Sequence, residues 1–318
     1  MEFERKMTIR RGLASLACLM LWSAVSLSQT PQPGSTSAPE AALGSGPGRA
    51  RPRITADPRA EIRTYHLDDA NLDVPYCIFK SSKVSKNNPA PLIVSLHGLG
   101  AGPQIMCNET AVDLAEESGY ILAAPMGYSI GGWYGSPVMN LRARRGGGAG
   151  AGSGPASGPA PVADTSAPAA PSPADIAKWS EEDVMNVLAM MRKEFNIDPK
   201  RIYLTGHSMG GAGTYFLGSK HADIWAAIAP VAPAAFLMNN NREDILKGIK
   251  KGGVPVLVVQ GDIDEAVPVA NTRMWVQTMK ELGMHYKYVE LPGITHGPVI
   301  TASQPAVYAF FAEHSKKR

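Results

Sequence analysis

Short, continuous apolar runs recur along the chain: "PLIVSLHG", "YILAAPMG", "RIYLTGHS", "WAAIAPVAP", "PVLVVQGD" and "HYKYVELPG". Runs of this length, closed by Gly or Pro, predict strands buried on both faces. Two earlier stretches, "RTYHLDD" and "VPYCIFK", partly alternate polar with apolar residues and predict an opening antiparallel pair. Between the runs lie helical patterns. In "SEEDVMNVLAMMRKEF", Val184, Val187, Leu188 and Met191 form one stripe, and Ser180 with the acidic residues after it predicts the helix start. "NTRMWVQTMKEL" and "PAVYAFFAEHSKK" behave alike. Strands alternating with helices predict an α/β fold: a mainly parallel central sheet with an antiparallel N-terminal pair and helices on both faces.

Two tracts break the pattern. Residues 29–53 are rich in Pro, Gly, Ala and Ser and read as a flexible linker. From Gly146 to Pro173 only Val162, Asp164 and Thr165 are not Gly, Ala, Pro or Ser, which predicts an insertion without a core. What remains, 54–318 apart from 146–173, is ample for one domain, and a composition 44% hydrophobic and 19% charged is ordinary for a globular one.

Residues 1–28 read as an export signal: Lys6, Arg10 and Arg11, then an apolar run from Leu13 to Leu27, then Ser26-Leu27-Ser28 as a cleavage site. The run is short and contains serines, so no stable membrane span is expected, with an uncleaved anchor as the alternative. The chain is therefore expected to be exported, to a periplasm or the medium. Of the formal net charge of +3, this segment contributes +2, so the remainder gives no reason to expect a nucleic-acid partner. Cys77 and Cys107 remain after cleavage and are expected as buried free thiols, with a disulfide between them as the alternative for an exported chain, and no Cys/His cluster has metal-ligand spacing.

In an open α/β sheet, ligands gather at the carboxyl ends of the strands. After "RIYLT" comes Gly206-His207-Ser208-Met209-Gly210, then a helical pattern. A turn this tight needs glycines and lifts the Ser208 hydroxyl above the sheet edge. A serine hydroxyl is a weak nucleophile without a base. After "PLIVSL" comes His97-Gly98-Leu99-Gly100, whose backbone can turn N–H groups towards developing negative charge. The N–H groups of Leu99 and Met209 are the expected oxyanion donors, and the His97 side chain is expected to hold the loop. After "PVLVVQG" stand Asp262, Asp264 and Glu265. Asp264 is the first candidate for the carboxylate that orients a histidine, with the other two as rivals. After the last strand pattern, "PGITHG" sets His296 in a glycine-flanked loop, better placed as the base than His207, His221, His285 or His314. Ser208, Asp264 and His296 follow one another in the order of a nucleophile-elbow triad.

On these residues the chain resembles the α/β-hydrolase family from roughly Pro91 to Lys316, apart from the low-complexity tract. "RIYLTGHSMGGAGT", "LHGLG", "GDIDEAVP" and "GITHG" are similar to the exported polyhydroxybutyrate-depolymerase-like and feruloyl-esterase-like carboxylesterases. The spacing Asp264-Glu265-Ala266-Val267-Pro268 matches the family's acid motif and puts Asp264 ahead of Asp262. The resemblance implies hydrolysis of a small-molecule or oligomeric carboxylic ester through an acyl-enzyme, with no cofactor or metal. It leaves open a serine peptidase, an acyltransferase or a non-catalytic binding protein on the same fold. One stretch departs from the family: "GYSIGGWYGSPVMNLRARR" leads into the tract. It should emerge at the site edge, where Trp133 and Tyr134 are candidates for an aromatic wall around an acyl or aryl group, or else pack the loop.

Overall fold

A computed structural model describes residues 54–137 and 171–316. Each expected strand forms: β1 (Glu61–Leu67), β2 (Leu72–Lys80), β3 (Ala90–Leu96), β4 (Ile121–Pro125), β5 (Ile197–His207), β6 (Ala227–Val231), β7 (Val256–Gly261) and β8 (Tyr286–Leu291). They join in one eight-stranded sheet of order β1-β2-β4-β3-β5-β6-β7-β8. β1 pairs antiparallel with β2, and β2 antiparallel with β4. From β4 onward every pair is parallel. The carboxyl ends of β3, β5, β6 and β7 therefore share one edge of the sheet.

The helices are α1 (Glu109–Ser118), α2 (Pro173–Glu194), α3 (Met209–Lys220), α4 (Arg242–Lys251), α5 (Val269–Glu281), α6 (Val299–Ala302) and α7 (Gln304–Ala312). Strand residues alternate between two layers. Leu92, Val94 and Leu96 of β3 pack with Val184 and Val187 of α2, Ala212 and Tyr215 of α3, and Trp275 of α5. Their neighbour Ile93 packs on the opposite face with Val112 of α1 and Val307 and Phe311 of α7. Each such buried Leu, Val or Ile stabilises the fold by about 1.5–3 kcal/mol. This two-sided burial is why the central strands read as unbroken apolar runs.

Two expectations change. β8 is not buried on both faces: its residues are half-buried or exposed, because it is the edge strand beyond β7. Arg273 of α5 makes a two-pronged ion pair with Glu290 on it, at 2.8 and 2.6 Å, and charge on an edge strand discourages pairing with another chain. Helix α2 also starts earlier than its apolar stripe suggests. Ser172 caps it, its hydroxyl accepting from the Asp175 N–H while the Asp175 carboxylate accepts from the Ser172 N–H. Pro173 takes the first helical position, where its missing N–H costs nothing. Ser180, expected as the start, lies two turns inside and is fully buried. The expected signal, the linker and residues 146–170 of the tract lie outside the described residues. Cys77 and Cys107 are buried free thiols. Among the described residues no helix is long and apolar enough to cross a membrane.

Candidate active site

The turn from β5 into α3 is a strained elbow. Ser208 has φ 58° and ψ −112°, a backbone conformation that non-glycine residues rarely adopt and that costs on the order of 1–3 kcal/mol. Surrounding bonds hold it there. Its N–H donates to the Val231 carbonyl at 2.9 Å, and its own carbonyl accepts from Ala234 at 2.9 Å and Ala212 at 3.0 Å. The flanking glycines are sterically required. A Cβ on Gly206 would stand 2.4 Å from the Gly210 oxygen, and one on Gly210 would stand 2.2 Å from the Leu96 oxygen. The elbow thereby presents Ser208 at the carboxyl edge, 8% exposed.

His296 reaches Ser208 from the loop after β8. Its Nε2 lies 2.9 Å from the Ser208 Oγ, and its Nδ1 lies 2.8 Å from Asp264 Oδ2. With Nδ1 protonated towards the carboxylate, Nε2 is left to accept the serine proton. Gly261 lets the loop come this close, since a Cβ there would meet the Ile294 oxygen at 2.2 Å. The Asp264 side chain is wholly buried. Burial pushes its carboxyl up, but bonds from His296 and from the N–H groups of Val267 (2.8 Å) and Ala266 (2.9 Å) outweigh this and hold it below the usual range. The rivals do other work: Asp262 accepts from the Gly293 N–H at 2.7 Å, and Glu265 is exposed.

Sequence reasoning missed Gln260. Its Nε2 donates to Asp264 Oδ2 at 3.0 Å, and its Oε1 accepts from the Thr272 hydroxyl at 2.7 Å, which fixes the amide's orientation. A fully buried glutamine ending the apolar run "PVLVVQ" was the available signal.

His207 does not meet the Ser208 hydroxyl. Its Nε2–H donates to the backbone oxygen of His296 at 2.9 Å, and the two rings lie 4.5 Å apart. Burial, helped by the neighbouring His296, pushes it down to about 3, so it is neutral at physiological pH. The remaining histidines stand elsewhere: His221 bonds Glu181 at 2.8 Å, and His285 and His314 face each other at 5.3 Å.

The His97–Gly100 turn runs beside Ser208. A Cβ on Gly98 would lie 3.4 Å from the Ser208 Cβ. Leu99 follows it, and Met209 opens α3, where first-turn N–H groups have no partner within the helix. His97 is fully buried, its ring nitrogens each 2.8 Å from a carbonyl oxygen, of Gly98 and of Met126.

Of the two readings of Trp133 and Tyr134, their burial agrees with packing of the loop and not with an aromatic wall. They are 2% and 0% exposed. Tyr134 turns inward because its hydroxyl meets the His97 backbone, at 3.0 Å from the N–H and 3.3 Å from the carbonyl oxygen. The loop carrying both is tied down by α2. Ser180 Oγ accepts from the Tyr134 N–H at 2.8 Å and donates to the Gly127 oxygen at 2.7 Å. Buried Asp183 accepts from the N–H groups of Gly127 (2.5 Å) and Tyr128 (3.3 Å) and from the Tyr65 hydroxyl (2.6 Å). Burial pushes Asp183 up to about 6 despite these bonds.

Comparison with known proteins supplies three kinds of likeness. Residues 174–247 match the prolyl oligopeptidase family. A cutinase from Thermobifida cellulosilytica is 35% identical over 100 residues, 31% of this chain and 34% of its own length. The chain thus spans about a third of that relative. Among solved structures, a thermostable esterase superposes with a TM-score of 0.56 at 23% identity, over 81% of this chain and 64% of its own. A ferulic acid esterase from Anaeromyces mucronatus, solved with ferulic acid, gives 0.54 at 15% identity, over 84% and 93%. The chain has the α/β-hydrolase fold.

Proposed function

We propose that this chain is an exported serine hydrolase that cleaves carboxylic esters through an acyl-enzyme. The observation that carries the reading is the continuous contact from Ser208 Oγ through His296 to Asp264, at 2.9 and 2.8 Å. His296 Nε2 takes the serine proton as Oγ attacks the ester carbonyl, and the backbone N–H groups of Leu99 and Met209 stabilise the oxyanion. The same nitrogen returns the proton to the leaving alcohol. It then activates a water, which releases the acid and restores Ser208. Asp264 keeps Nδ1–H in place and stabilises the transient imidazolium.

Loops at the carboxyl edge expose Leu99, Ile130 and Ile263, at 39%, 53% and 56%. This favours esters with an apolar acyl or alcohol part. The cutinase and esterase likenesses agree with ester chemistry, and the charged and apolar segments of residues 1–28 support export. The direct test is Ser208→Ala on p-nitrophenyl esters of rising chain length and methyl ferulate. The expected result is loss of at least about 10⁴-fold in kcat with the fold intact. Turnover near the wild-type rate would sink the nucleophile assignment.

A second reading, amide cleavage by the same triad, is favoured by the match of residues 174–247 to the prolyl oligopeptidase family. Peptide p-nitroanilides assayed beside the esters decide it. A kcat/KM for an anilide above that of every ester would replace the esterase reading.

A further inference from the structure

We propose that Tyr134 is a positioning residue for the oxyanion turn, acting through its hydroxyl rather than through its ring. The inference rests on the reading of Ser208 as an ester-cleaving nucleophile. It goes beyond that reading by assigning the geometry of the oxyanion turn to a side chain that does not face the substrate.

The hydroxyl meets both polar backbone groups of His97. It accepts from the His97 N–H at 3.0 Å and donates to the His97 oxygen at 3.3 Å. His97 immediately precedes Gly98 and Leu99, so one oxygen ties down both peptide planes flanking the His97 Cα, the second of which leads into the turn. Phenylalanine would fill the same space without either bond.

The ring is held in a slot that two other elements leave open. A Cβ on Gly127, in the loop after β4, would lie 2.4 Å from Tyr134 Cε1, and a Cβ on Gly213 of the nucleophile helix would lie 2.7 Å from Tyr134 Cβ. The nucleophile helix and the oxyanion turn are thus set against the same side chain. Holding it there requires strain: Tyr128, Trp133 and Tyr134 have φ of 66°, 60° and 53°. Non-glycine residues in this region persist only where surrounding contacts over-determine them. Ser180 and Asp183 of α2 supply those contacts. The same loop also reaches the turn directly, through Gly100 N–H to the Ile130 oxygen at 2.8 Å and His97 Nε2 beside the Met126 oxygen. The strained loop's hydrogen bonds converge on His97 and Gly100, the residues on either side of Gly98 and Leu99.

The test is Tyr134→Phe, assayed on a soluble p-nitrophenyl ester and normalised to folded protein. An oxyanion donor is worth about 10²–10³ in kcat when removed outright, so misaiming one should cost about 10–100-fold in kcat with KM within about twofold. Binding of a trifluoromethyl ketone, whose adduct with Ser208 carries the oxyanion, should weaken by a similar factor. Tyr308→Phe is the control: it also removes one buried tyrosine hydroxyl bond, to the Ala111 oxygen at 2.8 Å, but in the layer of α1 and α7. It should leave kcat unchanged. Ser180→Ala is the second variant should Tyr134→Phe not fold, and the same loss in kcat without KM is expected of it.

If wild-type protein turns over no ester and no organophosphonate labels Ser208, the nucleophile reading falls and this inference with it. If wild type is active but Tyr134→Phe, or Ser180→Ala in its place, keeps kcat and ketone affinity within the range of Tyr308→Phe, the inference alone is overturned.

Discussion

The candidate site has two sides built in different ways. On the base side, Ser208 directly follows a strand and Asp264 and His296 lie in the loops just after two others, and the contacts that align them run between side chains. On the proposed oxyanion side the working atoms would be backbone N–H groups, and the side chains bonded to that turn and its neighbouring loop, Tyr134, Ser180 and Asp183, are fully buried. The first side depends on residue identity at the point of chemistry. The second, as proposed, depends on a backbone supported by buried side chains.

Asp264→Asn should break the base side hardest. An amide there favours the wrong tautomer of His296, and kcat should fall about 10⁴-fold with the fold retained. Steady-state kinetics beside thermal unfolding checks this, and a loss under tenfold would remove Asp264 from its role. Gln260→Leu takes away one donor to Asp264 Oδ2 while the backbone N–H groups of Ala266 and Val267 remain on Oδ1. A hydrogen bond worth about 1 kcal/mol implies a loss of about tenfold in kcat or less. A loss as large as that of Asp264→Asn would mean that Gln260, not the backbone, holds the carboxylate.

The smallest expected effects are in acid stability, and they oppose one another. Folding lowers His207 from 6.5 to about 3, so the unfolded chain binds its proton first. His207 therefore contributes stability that is full above about pH 6.5 and is lost as pH falls towards 3. Folding raises Asp183 from 3.8 to about 6, so in that window the folded chain holds the extra proton, and stability falls as pH rises from about 4 to 6. Urea unfolding at a series of pH values should show His207→Gln losing less stability on acidification than wild type. Asp183→Asn should lose more, because the compensating proton uptake is gone. Parallel curves for all three proteins would show that neither group titrates as its burial requires.

Much of this was legible in the sequence because burial on both faces leaves an apolar signature. The six later strands were visible as runs and the first two as partial alternation, and after β3, β5 and β7 the turn showed as Gly beside a polar residue. Non-local pairing was not visible: β4 lies between β2 and β3, an order no local pattern encodes. Trp133 and Tyr134 invited a substrate role because aromatic rings near a site edge read alike whether they face in or out. What turns Tyr134 inward is a bond to His97, far away in sequence, and room left by Gly127 and Gly213. Ser180 looked like a helix start for a related reason. A short polar side chain at the head of an apolar stripe caps a helix far more often than it bonds a distant loop.

The slot around Tyr134 also bears on how this scaffold can be re-engineered. Residues 126–136, the first half of α2 and Gly213 are interdependent, since the ring sits where two glycines leave room and the loop is bonded by Ser180 and Asp183. Here a graft of the loop alone would carry the rings without their socket, and library diversity is better spent on the outward-facing Leu99, Ile130 and Ile263.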